Sequence, residues 1–162
     1  MKVAFVVPKD DGHINPLNGL AQCRLFPPVG LARMAGQVKK HGRSELVDER
    51  VGKGKHINDA DIAVVFINSY NRNRSYELAK RYNSRGTYVI FTGPVLTQSA
   101  EDACEHADCL FIGDGDAILP DFLNDYAAGK LRRLYAPSLL ETMKRPAAFA
   151  TSTGQVLSIA SA

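Results

Sequence analysis

The stretch "VAFVVPKDDGHINPLNG", Val3 to Gly19, joins a short apolar run to a loop that carries carboxylates, an imidazole and glycines. The run has the length and the valine-rich composition of a strand buried on both faces, which is typical of a parallel sheet. In such sheets, ligands bind outside the carboxyl ends of the strands. The loop is also far longer than most connections in α/β domains, and long loops of this kind are usually functional. The stretch therefore predicts an α/β domain with a binding site at this end of its first strand.

Composition narrows the class of protein. The chain has 162 residues, of which 45% are hydrophobic and 23% charged, and this fits one globular domain with a sizeable core. The net charge is +3 and no long basic run is present, so we expect no nucleic-acid partner. No apolar run has the length of a membrane span, and Met1-Lys2 leads into a strand rather than a signal peptide. We expect a cytoplasmic protein without a membrane partner.

The three cysteines, Cys23, Cys104 and Cys109, are sparse and have no Cys-x-x-Cys spacing. They predict neither a disulfide framework nor a zinc site. Cys104 falls on a predicted helix and Cys109 opens a predicted strand, so both are interpreted as packing residues.

Strand and helix patterns alternate along the chain. The predicted strands are Val3–Val7, Glu45–Asp48, Ile62–Ile67, Tyr88–Phe91 and Cys109–Ile112. The predicted helices are Pro28–His41, Arg74–Tyr82, Ser99–Ala107 and Ala117–Tyr126. This alternation indicates right-handed crossovers and a doubly wound, three-layer parallel sheet. We expect the flavodoxin-like (Rossmann-like) order 2-1-3-4-5, with the α/β domain at residues 1–135 and an arm or tail at 136–162.

The carboxyl ends of the strands select four loops as candidate binding elements. They are Pro8–Phe26, Asn68–Asn73, Thr92–Thr97 and Gly113–Asp116. Each residue in them also has a purely structural interpretation. His13 is then an exposed loop histidine, and Asp10 and Asp11 are turn formers. Ser69, Asn71 and Asp116 are then helix caps, and Gly93-Pro94 only redirects the chain.

The segment "FPPVGLARMAGQVKKHG" resembles the N-terminal cobalamin-binding domain of radical S-adenosylmethionine enzymes. The family has a Pro-Pro-x-Gly-Leu helix start, a His-Gly helix end and an acidic residue after the second strand. The matching residues are Pro27, Pro28, Gly30, Leu31, His41, Gly42 and Asp48.

Later segments carry the same resemblance, which covers about residues 1–135. "ADIAVVFINSYN" resembles the third strand and its serine-bearing loop. "YVIFTGPVLT" resembles the next strand and its Gly-Gly-Pro loop, with Thr92 in place of the first glycine. "ACEHADCLFIGDGD" resembles the segment before a Gly-Glu-Gly-Glu turn, with aspartates in place of both glutamates.

The resemblance implies a cobalamin cofactor at the carboxyl ends of the strands. The residues that it places there are Asp11, Gly12, His13, Ser69, Tyr70, Asn71, Thr92, Gly93, Pro94, Gly113 and Gly115. Histidine-ligated cobalamin carriers have Asp-x-His-x-x-Gly in the first loop. Here Asp11 and His13 match that motif, whereas Pro16 replaces the glycine. His13 is therefore the candidate cobalt ligand, with Asp11 as its orienting partner, but we expect no essential role for it as a ligand.

A second departure lies at the end of the chain. The family continues into a motif whose three cysteines hold an iron–sulfur cluster. This chain reads "TSTGQVLSIASA", with Gln155, Ile159 and Ala162 at the cysteine positions. We expect that the chain itself binds no iron–sulfur cluster and initiates no radical.

The leading interpretation is a cobalamin-binding-type domain that is not catalytic on its own. If it belongs to an enzyme, the resemblance implies a cobalamin-dependent radical S-adenosylmethionine methyltransferase or a relative, with the catalytic domain or subunit in trans. The second is a Rossmann-like interaction or sensory domain that has lost the cofactor. The third is a flavodoxin-like enzyme for a phosphate-bearing ligand, although no phosphate-binding loop is present.

Overall fold

The computed structural model describes residues 1–12, 21, 23–25, 27–52 and 58–136. Its strands are β1 (Lys2–Val7), β2 (Arg43–Asp48), β3 (Ile62–Phe66), β4 (Tyr88–Thr92), β5 (Cys109–Phe111) and β6 (Leu134–Tyr135). Its α-helices are α1 (Val29–Val38), α2 (Arg72–Asn83), α3 (Ala100–Cys104) and α4 (Gly115–Ala128). Short 3-10 helices follow β2 and β4, at Glu49–Val51 and Pro94–Thr97.

The sheet has six strands in the order β2-β1-β3-β4-β5-β6, and every neighbouring pair is parallel. The predicted doubly wound order is confirmed, with β1 inside the sheet between β2 and β3. The sheet has one strand more than predicted, because β6 pairs with β5 at its end. Leu134–Tyr135 is only two residues long, and its pairing with Leu110 and Phe111 carries no periodic signal in the sequence.

The core has two parts because side chains alternate between the two faces of each strand. On one face, Val3, Phe5 and Val7 of β1 pack with α1 and α4. On the other face, Ala4 and Val6 pack in a cluster that includes residues of α2 and α3. The layers are therefore helix, sheet and helix, as the sequence predicts.

Some helix bounds differ from the predicted ones. The first helix ends at Val38 rather than near His41, and Gly42 packs instead against the start of the chain, where an added Cβ would lie 2.0 Å from the Met1 carbonyl oxygen. The helix predicted to reach Ala107 ends at Cys104. Both helices are shorter because the chain turns back toward the next strand earlier than the apolar pattern indicates. The predicted arm or tail lies outside the described residues, apart from Ala136.

None of the helices in the described part of the chain is long and apolar enough to cross a membrane.

Candidate functional site at the carboxyl edge of the sheet

The carboxyl edge is the edge at which β1 to β5 end, and the helices that follow these strands begin there. Asp11 and Gly12 lie in the loop after β1, and Tyr70 and Asn71 lie in the loop after β3. The Asp11 amide donates to the Tyr70 carbonyl oxygen over 2.7 Å. The structure thus brings together the first two predicted loops, at the neighbouring strands β1 and β3.

The loop after β3 is held from beneath by Asn71, whose side chain is buried. Its Oδ1 accepts from the Asn68 amide over 2.8 Å, and its Nδ2 donates to the Phe66 carbonyl oxygen over 3.2 Å. This side chain fixes the shape of the loop. Ser69 and Tyr70 are exposed, and the Tyr70 side chain is 73% exposed. Tyr70 is therefore available to a ligand, whereas Asn71 is a structural residue of the site.

The loops after β4 and β5 are packed tightly against their neighbours. Gly93 has a φ of 149°, and an added Cβ would lie 2.0 Å from the Ile67 carbonyl oxygen. A Cβ at Gly115, the first residue of α4, would lie 2.9 Å from Thr92 Oγ1. Thr92 is the buried last residue of β4. The requirement for glycine at these two positions is thus explained by contacts within the chain itself.

The remaining predicted residues have different surroundings. Gly12 is exposed, and among the described residues nothing lies within 4 Å of the position that an added Cβ would take. Gly113 is exposed with a φ of 103°, and Pro94 is exposed at the start of a 3-10 helix. His13, the candidate cobalt ligand, lies outside the described residues.

Asp116 is not the cap of α4. The N-cap position is Asp114, and Asp116 lies in the first turn with its side chain only 2% exposed. Its Oδ2 lies 2.7 Å from Arg33 Nη2 of α1, and its carbonyl oxygen accepts from Gln37 Nε2 over 2.9 Å. Arg33 could not be predicted as the partner of Asp116, because contacts between distant helices leave no local pattern in the sequence.

Charged side chains at the end of β2 are paired with each other. Asp48 accepts from Arg50 through both carboxylate oxygens, at 2.9 and 2.7 Å, and from the Cys23 thiol at 3.2 Å. Burial alone would raise the pKa of Asp48, but hydrogen bonds from Arg50 and Cys23 outweigh it and lower the pKa below its usual range. Burial and the bond to Asp48 raise the pKa of Cys23, so this thiol is not an activated nucleophile.

A second ion pair joins Arg74 of α2 to Glu49. Arg74 Nε and Nη2 lie 3.0 and 2.7 Å from the two oxygens of Glu49, and Arg74 Nη1 lies 2.8 Å from Glu77. The hydrogen bonds to Glu49 raise the pKa of Arg74.

Apolar side chains are exposed on the same edge. Leu25, Val29 and Val51 are 72, 55 and 51% exposed, and none of them was selected from the sequence. With Tyr70 they define what we call the apolar rim. An apolar groove lies beside it, between the start of α1 and β2, lined by Pro27, Pro28, Val29, Ala32, Arg33 and Leu46. Large apolar residues in segments that the pattern assigns to loops could have indicated Leu25 and Val51, whereas Val29 falls in a predicted helix.

Three or more histidine, cysteine or acidic side chains that could hold a metal ion do not come together among the described residues. The carboxyl edge, as far as it is described, can therefore bind a ligand by apolar contact and by backbone hydrogen bonds.

No protein-family model matches the chain. Two curated proteins of Chlorobaculum tepidum are distantly similar to it. Bacteriochlorophyllide d C-8(2)-methyltransferase is 32% identical over 92 residues, which cover 56% of this chain and 20% of that protein. Bacteriochlorophyllide d C-12(1)-methyltransferase is 22% identical over 118 residues, covering 72% of this chain and 26% of that protein. The matched region thus spans a fifth to a quarter of the length of these relatives.

Among solved structures, the N-terminal domain of a hypothetical protein from Thermotoga maritima aligns with 66% of this chain and 88% of that one. The TM-score is 0.45 and the sequence identity is 18%.

Proposed function

We propose that this chain is a cobalamin-binding domain related to the N-terminal domain of radical S-adenosylmethionine enzymes, and that it is not catalytic on its own. The observation that carries the proposal is the apolar rim of Leu25, Val29, Val51 and Tyr70 at the carboxyl edge. Large apolar side chains that are exposed at the edge where ligands bind favour a binding surface. Ligands of doubly wound sheets bind at this edge.

The residues present fit a corrin ring. The ring is a broad, largely apolar macrocycle with amide arms, so it needs an apolar surface and accessible backbone groups. The apolar rim supplies the first, and the open backbone at Gly12 supplies the second. Asp48 and Glu49 are paired with Arg50 and Arg74, so these two carboxylates would not have to be desolvated without a partner beside an apolar macrocycle.

The domain and the cofactor would have different roles in the reaction. Cobalamin would supply the methyl-transfer chemistry, and the chain would bind and orient it. The similarity to two proteins named as methyltransferases supports this class of reaction. The domain would act together with a catalytic domain or subunit, because Gln155, Ile159 and Ala162 occupy the cysteine positions of the cluster motif.

A second candidate is an interaction domain that has lost the cofactor. It is favoured by Gly93 and Gly115, whose missing side chains make room for the chain's own atoms rather than for a ligand. The apolar groove beside α1 would then contact a protein partner.

One titration separates the two candidates. Hydroxocobalamin is added to the folded protein while the visible spectrum is recorded. The cofactor proposal predicts a saturable change at about one equivalent, in line with such sites being few per protein. A spectrum that remains the sum of protein and free cofactor, with no heat of binding in calorimetry, supports the interaction domain instead.

A further inference from the structure

The N-terminus of α2 is capped by a residue from a distant part of the chain. Asp11 Oδ2 accepts from the Asn73 amide over 2.8 Å, and Asp11 Oδ1 accepts from the Arg74 amide over 2.7 Å. The first amides of a helix have no acceptor within the helix, and a carboxylate also interacts favourably with the helix dipole. Asp11 therefore occupies the place that a local N-cap residue usually fills.

The side chain of Asn71, the residue at the N-cap position, makes other hydrogen bonds. Asn71 is at the N-cap position of α2, but among the described residues its side chain bonds to the loop after β3 and to Ser75 rather than to the first amides of the helix. A cap contributes about 1 kcal/mol to the stability of a helix. By supplying it from the loop after β1, the fold couples the position of that loop to the stability of α2.

This coupling lies at the topological switch point. β1 and β3 are neighbours in the sheet, but β1 leads to α1 on one face and β3 leads to α2 on the other. Ligands of doubly wound folds enter the crevice between these two loops. Asp11 spans it with three hydrogen bonds, since its own amide also donates to the Tyr70 carbonyl oxygen.

A second connection holds the same loop. The Lys9 amide donates to Glu49 Oε2 over 3.2 Å, and Glu49 forms the ion pair with Arg74 of α2. The segment from Lys9 to Asp11 is thus tied to α2 both directly and through Glu49.

We propose that Asp11 is a positioning residue for the cobalamin site. By capping α2, it holds the start of the loop after β1 at the switch point, and this sets the affinity for the corrin. Both of its carboxylate oxygens bond to α2, so Asp11 joins the loop after β1 to this helix. This inference rests on the proposed function.

The experiment compares Asp11→Ala and Asp11→Asn with wild type and with the control Asp125→Ala. Asp125 also accepts two hydrogen bonds, from Arg132 and Tyr135, but it lies near the end of α4, away from the carboxyl edge. Two quantities are measured: amide hydrogen exchange at Asn73 and Arg74 without cofactor, and the dissociation constant for hydroxocobalamin. Exchange at Val64 in the core of β3 reports whether each variant is folded.

For Asp11→Ala we expect faster exchange at both amides and a dissociation constant raised about five- to tenfold, which corresponds to the loss of one cap. Asp11→Asn retains one acceptor oxygen, so its affinity should lie between wild type and alanine. Asp125→Ala should bind as wild type does. Weaker binding together with unchanged exchange at Val64 would not arise if Asp11 only contributed to overall stability.

Failure of the inference about Asp11 and failure of the proposed function give different results. If wild type binds hydroxocobalamin and Asp11→Ala binds it equally well while its amides exchange faster, Asp11 is a helix cap only and the inference is wrong. Equal affinity together with unchanged exchange would show that the cap itself does not form in solution. If wild type does not bind at all, the proposed function is wrong and the inference fails with it.

Discussion

Gly93 is the residue at which the backbone of the site is most constrained. Its φ of 149° is rarely adopted by residues with a side chain, and an added Cβ would lie 2.0 Å from the Ile67 carbonyl oxygen. We expect Gly93→Ala to lower the free energy of unfolding by about 2–4 kcal/mol, measured by urea denaturation.

The matched control is Gly36→Ala. Gly36 lies in the interior of α1, and an added Cβ there would meet nothing within 4 Å. Alanine should stabilise this helix by about 0.5–1 kcal/mol. Equal effects of the two substitutions would contradict the packing that we describe around Gly93.

Asp48 gives the stability of the chain a defined dependence on pH. Its pKa is lowered in the folded protein, so its contribution is fully present above the unfolded value of about 3.9 and is lost as the pH falls through the folded value. Asp48→Asn should therefore destabilise the protein at pH 7, and the difference from wild type should shrink below about pH 4.

The comparison of Asp48→Asn with Arg50→Met tests the origin of this effect. Arg50 supplies the principal hydrogen bonds to Asp48. If the pair accounts for the lowered pKa, the double variant should be little less stable than either single variant, in chemical denaturation between pH 3 and pH 7. A difference from wild type that does not depend on pH would contradict the assignment.

Single residues were the part of the site that the sequence predicted least well. Asp116 looks like a helix cap in "GDGD", but it is a buried partner of Arg33. Asp11 looks like a turn former, but it caps α2. In both cases the partner is far away in the chain, so propensity and spacing contain no information about the contact.

At the scale of elements, the ion pair between Arg33 and Asp116 joins α1 to α4 on one face of the sheet. The Asp116 side chain is 2% exposed and the Arg33 side chain 51% exposed, so solvent weakens the interaction only from one side. We expect Arg33→Met to lower the free energy of unfolding by about 1–3 kcal/mol, because it removes a partner of a buried carboxylate.

Arg72→Met is the control for this prediction. Arg72 lies 3.9 Å from Asp102, and both side chains are well exposed. Surface pairs of this kind contribute about 0–1 kcal/mol, so thermal or urea unfolding should change little. Losses of similar size in the two variants would show that burial of Asp116 does not matter.

Elements with a strong apolar period were predictable, and short ones were not. β1, β3 and β4 are buried runs of β-branched and aromatic residues, and the sequence alone locates them to within a residue or two. β6 contains two residues in a polar context and could not be recognised. Tyr135 nevertheless packs against Phe111 and Phe122 in the core, so this short strand completes the hydrophobic face.

At the scale of the whole molecule, strand order was predictable because connections between parallel strands are right-handed and short. The location of the site followed from that order through the rule for switch points. The apolar rim did not follow, because exposure of Leu25, Val29 and Val51 depends on how the loops pack and not on the strand pattern.

We propose that the carboxyl edge binds cobalamin through the apolar rim. The most direct measurement is the visible titration with hydroxocobalamin of wild type, of Tyr70→Ser/Val51→Ser, and of the control Leu131→Ser/Leu134→Ser. The control residues are also exposed, but Leu134 is the first residue of β6 and Leu131 precedes it. Both therefore lie at the amino end of this strand, away from the carboxyl edge. We predict saturable binding for wild type and the control, and affinity weaker by about tenfold or more for the rim variant, because it loses two buried apolar contacts. Absence of saturable binding by wild type, or equal affinity of all three proteins, would contradict the claim.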